Sequence, residues 1–208
     1  NTMAFEKFVV PMASAIWSTS PSIMESIPIQ YLARFFNNHG LLSINNHPQW
    51  RVVKGGAREY VKKMATRFSG DIRLNSKVIR ITRKPEGVKV KTGNNVIENF
   101  DAVILACHSD QALEMLKDPT SQEKEILSSI PYQKNIALLH TDSSVLPLRK
   151  RVWASWNSNI PRNKENRVSL TYNMNILQNI NRTDTFCVTL NNNSIKKDKV
   201  LKRLHYEH

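Results

Sequence analysis

The sequence predicts an α+β fold derived from α/β architecture. Three observations carry that prediction: a helical first forty residues, a strand-rich remainder cut by turn residues, and a nearly unbroken apolar run at Phe100–Ala106. Such a run marks a strand covered on both faces, as in a parallel sheet. A length of 208 residues fits one ordinary domain or two small ones, and 40% hydrophobic with 23% charged residues is globular composition.

Met3 to Trp17 is mostly apolar and reads as helical, interrupted by Pro11; Ser20-Pro21 reads as an N-cap with proline at the first helical position. A further helix runs from Ser26 or Ile27 to Asn38 and is stopped by Gly40, with Ile29, Leu32, Ala33 and Phe36 on one face. From residue 41 the pattern changes. Trp50–Val53 reads as a strand, Gly55-Gly56 as a turn, and Ala57–Phe68 as a helix. Extended pieces follow at Asp71–Leu74, Lys77–Arg83, Val88–Thr92 and Val96–Glu98, with turns at Pro85-Glu86-Gly87 and Gly93-Asn94-Asn95. After the apolar run, Gln111–Leu116 and Ser121–Ser129 read as helices, the second capped by Thr120 or Ser121. Strands are expected at Asn135–Asp142, Val152–Asn157, Arg167–Asn175 and Thr185–Leu190. The third alternates, with Val168, Leu170, Tyr172 and Met174 on one face and Ser169, Thr171, Asn173 and Asn175 on the other. Ile195–Leu204 reads as a basic helix.

Composition narrows the chemistry. Six glycines stand where average usage of about 7% would supply roughly 15, and neither G-x-G-x-x-G nor a P-loop can be written from them. No apolar stretch of the roughly 18 residues a membrane span needs is present, and the start has no signal-type core, so the chain reads as cytoplasmic. Cys107 and Cys187 have no partners at ligand spacing, which argues against a disulfide framework and against a metal site. The net charge of +13 is concentrated: residues 51–92 hold 13 basic and three acidic side chains. Between 78 and 92 most of those charges alternate with apolar residues, the pattern of the wet face of a half-buried hairpin. Few aromatics are interleaved, which argues against a nucleic-acid stacking platform. Among the histidines, His108 after the apolar run and His140 within a strand are placed to face a site, though a structural histidine is the plainer reading of each.

Order and spacing of short motifs carry a family resemblance. Residues 52–61 (VVKGGAREYV), 75–81 (NSKVIRI) and 100–108 (FDAVILACH) resemble the middle of the flavin-dependent amine oxidoreductases, the superfamily of monoamine oxidase, phytoene desaturase and protoporphyrinogen oxidase. Residues 15–18 (AIWS), 108–113 (HSDQAL), 139–142 (LHTD), 153–157 (WASWN) and 172–175 (YNMN) are similar to its bacterial branch of predicted NAD/FAD-binding proteins. The resemblance spans nearly the whole chain and implies an internal part of a longer FAD enzyme, without its two glycine-rich flavin segments. It implies a mixed-sheet substrate domain with helices, joined to strands of a Rossmann-like FAD domain. The corresponding division is residues 1–45 and 109–208 for the former and 46–108 for the latter.

The resemblance also implies site residues. Gly55 and Gly56 match a pair that precedes a helix in the cofactor-binding half, Val78 a valine whose backbone touches the adenine end of FAD, and Ala106, Cys107 and His108 the carboxyl end of a core strand. Asn135 falls where many relatives carry a lysine that holds a water near the flavin, so no catalytic base is assigned. His140, Trp156 and Asn173 are expected to line the substrate pocket with Asn135. The implied activity is hydride transfer from a C–N or C–C bond to FAD, with inactivity expected of this part alone. A small-molecule or lipid-like substrate fits the basic surface, as does peripheral contact with an anionic membrane. A basic nucleic-acid-binding module and a non-catalytic interaction domain stand as alternatives.

Overall fold

A computed structural model describes residues 2–17, 19–43, 45, 48–159, 169–192 and 194–207. The chain divides into two compact units, Asn1–Lys62 with Gln133–His208, and Lys63–Tyr132. Each is α+β, and both sheets are antiparallel.

The first unit opens on helices. The short α1 (Thr2–Ala4) and α2 (Val10–Ile16) flank a π-type turn at Phe5–Val9. Pro11 explains that turn: it has no N–H to offer the preceding turn and its ring crowds the carbonyl four residues back, so the helix widens ahead of it. In α3 (Pro21–Glu25) proline takes the first position as expected, although the Ser20 hydroxyl bonds that of Ser22 at 3.0 Å rather than capping. α4 (Ile29–Asn38) ends in a Schellman arrangement: Gly40 has φ +66°, and Leu41 N–H reaches Phe36 O at 2.8 Å. Leu32 and Phe36 face inward, with Val10, Ala13 and Met24, but Ile29 and Ala33 are exposed. Phe35 packs against that cluster in their place, in tilted ring contact with Trp17 at 4.6 Å between centroids.

The rest of this unit is a five-stranded sheet. Its strands are β4 (Lys134–His140), β5 (Trp156–Asn159), β6 (Ser169–Asn173), β7 (Cys187–Leu190) and β8 (Val200–Glu207), in the spatial order β5-β6-β7-β4-β8. α8 (Met174–Leu177) follows β6, so Met174 leaves the alternation, while Arg167 and Val168 lie outside the described residues. The expected helix at Ile195–Leu204 is instead a short 3₁₀ turn at Lys197–Lys199 followed by β8. Lysine and leucine favour helix locally, but the free edge of β4 offers a full row of backbone partners, and pairing from Lys134↔Glu207 to His140↔Val200 wins. Trp50–Val53 forms no strand and is exposed.

The second unit holds an antiparallel meander of β1 (Val78–Lys84), β2 (Gly87–Thr92) and β3 (Ile97–Phe100), with α6 (Ser109–Met115) and α7 (Ser121–Ser128). The helix α5 (Arg58–Arg67) begins in the first unit and ends in the second. Thr120 and Glu123 close a reciprocal capping box on α7, and Arg83 of β1 grips the Glu123 carboxylate with two hydrogen bonds, 2.8 and 3.1 Å. The Arg83 hydrogen bonds, then those from Thr120, hold the Glu123 carboxyl at about 2. Ile81, 1% exposed, is the buried residue of β1.

Two expectations fail in this unit. Asp71–Leu74 is not a strand, and after Phe100 the apolar run is irregular and unpaired, with Ile104 92% exposed. A strand apolar on both faces needs a strand on either side, and the meander ends at β3.

Gly87 turns the chain from β1 to β2 with φ +142°, and an added Cβ would stand 2.5 Å from Phe100 O. Gly87→Ala is therefore expected to cost at least about 2 kcal/mol, read as lost hydrogen-exchange protection in β1 and β2. The depressed Glu123 pKa stabilises this unit fully above the ordinary carboxylate value of 4.5. That contribution is lost as pH falls toward about 2, and the loss is absent in Glu123→Gln, measured by acid titration of the circular dichroism signal.

Candidate functional site

Strand alternation divides the five-stranded sheet into two unlike faces. One carries Leu170 and Tyr172 of β6, Val188 and Leu190 of β7, Ala137 of β4 and Trp156 of β5, and it receives Ala15 of α2. The other carries Ser169, Thr171 and Asn173, with Cys187 and Thr189, and Leu138 and His140, all buried. This polar face is a sealed layer rather than a wet one.

Its groups satisfy one another. Asp142 N–H donates to His140 Nδ1 at 3.1 Å, which leaves the ring proton on Nε2. Nε2–H then donates to Thr189 Oγ1 at 2.7 Å, and the Thr189 and Thr171 hydroxyls share a hydrogen bond of 2.8 Å. Burial lowers the His140 pKa below its ordinary 6.5 against the opposing pull of Asp142, so the ring is neutral. Burial raises Asp142, but hydrogen bonds from Ser144 and from the Lys196 backbone outweigh it and hold the carboxyl below 3.8. Burial pushes the Cys187 thiol up to about 11, which makes it an unreactive thiol at neutral pH.

The four residues expected to line a substrate pocket are split by the sheet. His140 and Asn173 lie on the polar face, both opposite Cys187, and Asn173 Oδ1 caps α8 by accepting Ile176 N–H at 3.3 Å. Trp156 lies on the apolar face directly opposite Tyr172. Asn135 is buried with both ends of its amide engaged: Nδ2 donates to Gln133 O at 2.9 Å and Oδ1 accepts from Asn191 Nδ2 at 2.7 Å. It lines a cavity of about 700 Å³ with Asn191, His205 and Tyr206. Thr171 and Thr189 were not singled out from the sequence; their signal was the run of small polar residues at every second position of β6 and β7.

The residues expected to meet a cofactor fall in both units, each described separately. In the first, Gly55 and Gly56 have φ +85° and +89°, and a Cβ on Gly56 would meet nothing within 4 Å. In the second, Val78 pairs with Thr92 beside a register shift between Val78 and Arg80, where a bulged strand disrupts its ladder. Ala106 and Cys107 are exposed. The His108 ring stacks on Tyr132, 4.2 Å between centroids, and its Nδ1 is 3.9 Å from Asp110, beyond hydrogen-bonding reach. Ser109 N–H donates to the Tyr132 hydroxyl at 2.9 Å, while Ser109 Oγ and His108 Nδ1 are buried without a hydrogen-bond partner. Cys107, Ser109 and Tyr132 line a cavity of about 810 Å³ together with apolar Ile81, Val103 and Leu105 and charged Arg83, Asp101 and Glu123. Among the described residues there is no cluster of His, Cys, Asp or Glu able to hold a metal ion. No helix among them is long and apolar enough to cross a membrane.

The fold, two antiparallel sheets with helices, resembles that of solved structures of low sequence identity. A fatty acid isomerase from P. acnes that produces CLA superposes on 73% of this chain and 39% of its own, at 14% identity and a TM-score of 0.50. A protein from Exiguobacterium sp. 255-15 assigned as a protoporphyrinogen oxidase covers 86% of this chain and 45% of its own, at 14% identity and a TM-score of 0.49. The chain thus spans less than half the length of these solved structures. No curated protein matches it in sequence. The family model of the flavin containing amine oxidoreductases matches residues 2–169, and the chain belongs to that family.

The family implies a flavin, and part of this chain fits one. Within the second unit, Ser109 Oγ and His108 Nδ1 are buried polar atoms left without protein partners, which a bound group could satisfy. A phosphate-holding glycine loop is not among the six glycines.

Replacing Thr189 by Val keeps the shape but strands the His140 Nε2–H and the Thr171 hydroxyl. A loss of about 1–3 kcal/mol is expected in urea denaturation. Because the folded His140 resists protonation, stability is present above 6.5 and lost as pH falls below it; His140→Gln flattens that slope on the acid side of 6.5.

Proposed function

We propose that this chain is part of an FAD-dependent oxidoreductase and supplies two pieces of it: the sheet of the substrate domain and peripheral strands of the FAD domain. The observation that carries the reading is the family match over residues 2–169. The exposed apolar segment after Phe100 supports it, since that segment has the composition of a sheet strand and no strand beside it. FAD, when bound, accepts a hydride from a C–N or C–C bond of the substrate.

The chain's own groups hold, orient and exclude water. The Val78 backbone would hold the adenine end, and the left-handed backbone at Gly55-Gly56 would admit a close approach ahead of α5. Ala106, Cys107 and His108 stand at the carboxyl end of the strand that forms when its neighbours are present. The substrate is a small or lipid-like molecule, met by Asn135 and by the Trp156–Tyr172 pair on the half-buried apolar face, while His140 and Asn173 stiffen the sheet behind them. The enzyme works in the cytoplasm. Neither the nucleic-acid module nor the non-catalytic domain has an observation in its favour that this reading lacks.

Flavin retention tests the proposal. The 208-residue chain, mixed with excess FAD and desalted, is expected to keep substoichiometric flavin, while the product of the complete gene purifies yellow. Stoichiometric flavin on the chain alone would overturn the partition proposed here; a colourless, flavin-free complete product would overturn the FAD reading itself.

A further inference from the structure

The meander of the second unit has one face turned to the helices and one that is not, and the second face is cationic. Register places Arg80 opposite Lys91 and Thr82 opposite Lys89, with Lys84 opposite Gly87. On the far side of β2, Ile97 stands opposite Lys91 and Asn99 opposite Lys89. Four basic side chains therefore share a patch about 13 Å along the strands and about 5 Å across them. No acid of the three strands points to this face, because Glu98 lies opposite Val90 on the other one.

The acids that do lie nearby are committed elsewhere. Glu98 and Asp71 pair with Arg73, and Glu123 and Asp118 with Arg83. Among the described residues Glu86 in the turn forms no ion pair, and none is formed by Arg80, Lys84, Lys89 or Lys91. Like charges directly opposite across a strand pair repel. No ion pair among the described residues relieves that repulsion here.

We propose that this face is a docking surface for an anionic phospholipid bilayer. A fluid sheet of headgroups can gather negative charge beneath a flat patch of four cations, whose alkyl stems lie along the strands while their charged ends reach outward. Ile97, 49% exposed and next to Lys91, adds an apolar contact at the same level. Nucleic acid fits less well: none of the strand residues on this face is aromatic, so a base has nothing there to stack on.

The test is co-sedimentation of the 208-residue chain with vesicles of equimolar phosphatidylserine and phosphatidylcholine, against vesicles of phosphatidylcholine alone. Binding is expected only to the former, and is expected to fall steeply between about 0.05 M and about 0.5 M salt. Neutralising Arg80, Lys84, Lys89 and Lys91 to Gln should weaken it about fivefold per residue and several-hundredfold together. Lys202→Gln, on β8 of the other unit, should leave it unchanged. Should the fourfold variant lose its circular dichroism signal, the single reversal Lys89→Glu replaces it and is expected to weaken binding at least fivefold. Equal binding to both vesicle types, or a folded variant that binds as the parent does, overturns the proposal. So does a single-stranded RNA oligonucleotide that binds this face more tightly than the vesicles and displaces them.

Discussion

A line of buried hydrogen bonds, from the Asp142 backbone through His140 and Thr189 to Thr171, holds the five-stranded sheet to one register. Each atom in it has been taken out of water, so each must keep its partner or forfeit its solvation. A slip of β7 by one residue would carry Thr189 and Cys187 to the apolar face and bring Val188 against His140. Hydrophobic contact alone would not discriminate so sharply, because Val188 and Leu190 could find other apolar neighbours. The polar layer is what makes the alternatives expensive.

The second unit is organised differently. Its specificity comes from a turn and an ion pair: Gly87 admits a backbone that no other residue adopts cheaply, and Arg83 ties β1 to the capped end of α7. Its opposite surfaces have opposite characters. One is a cavity bounded by an unpaired apolar segment, the other a sheet face of uncompensated positive charge. The apolar surface suits burial by further polypeptide, and the charged one suits contact that water and salt can modulate.

Several elements were legible from local chemistry. Pro21 at a helix start, Gly40 at a helix end, the Thr120 cap and the Pro85-Glu86-Gly87 turn each stand where the sequence places them, because the forces that put them there act within four or five residues. The alternation of β6 was equally legible, but not which of its faces would be buried. Ser169, Thr171 and Asn173 look like a wet face; they are the sealed one, since Thr189 reaches Thr171 across 18 residues and His140 reaches Thr189 across 49.

The residues taken from the family resemblance divide in the same way. Gly55 and Gly56 announce themselves by the backbone they permit, while His140, Asn173, Trp156 and Asn135 gain their meaning from the strands opposite them. By itself the sequence determined the family, the α+β class, the turns and caps, and the clustering of positive charge between residues 51 and 92. Only the tertiary structure decided that residues 200–207 form a strand, that the polar face of the sheet lies inside, and that four cations share one face of the meander without an acid among them. Helix and turn preferences are local energies written residue by residue. Edge pairing, face burial and charge compensation depend on which distant strand comes to lie alongside, and that is settled by the packing of the whole.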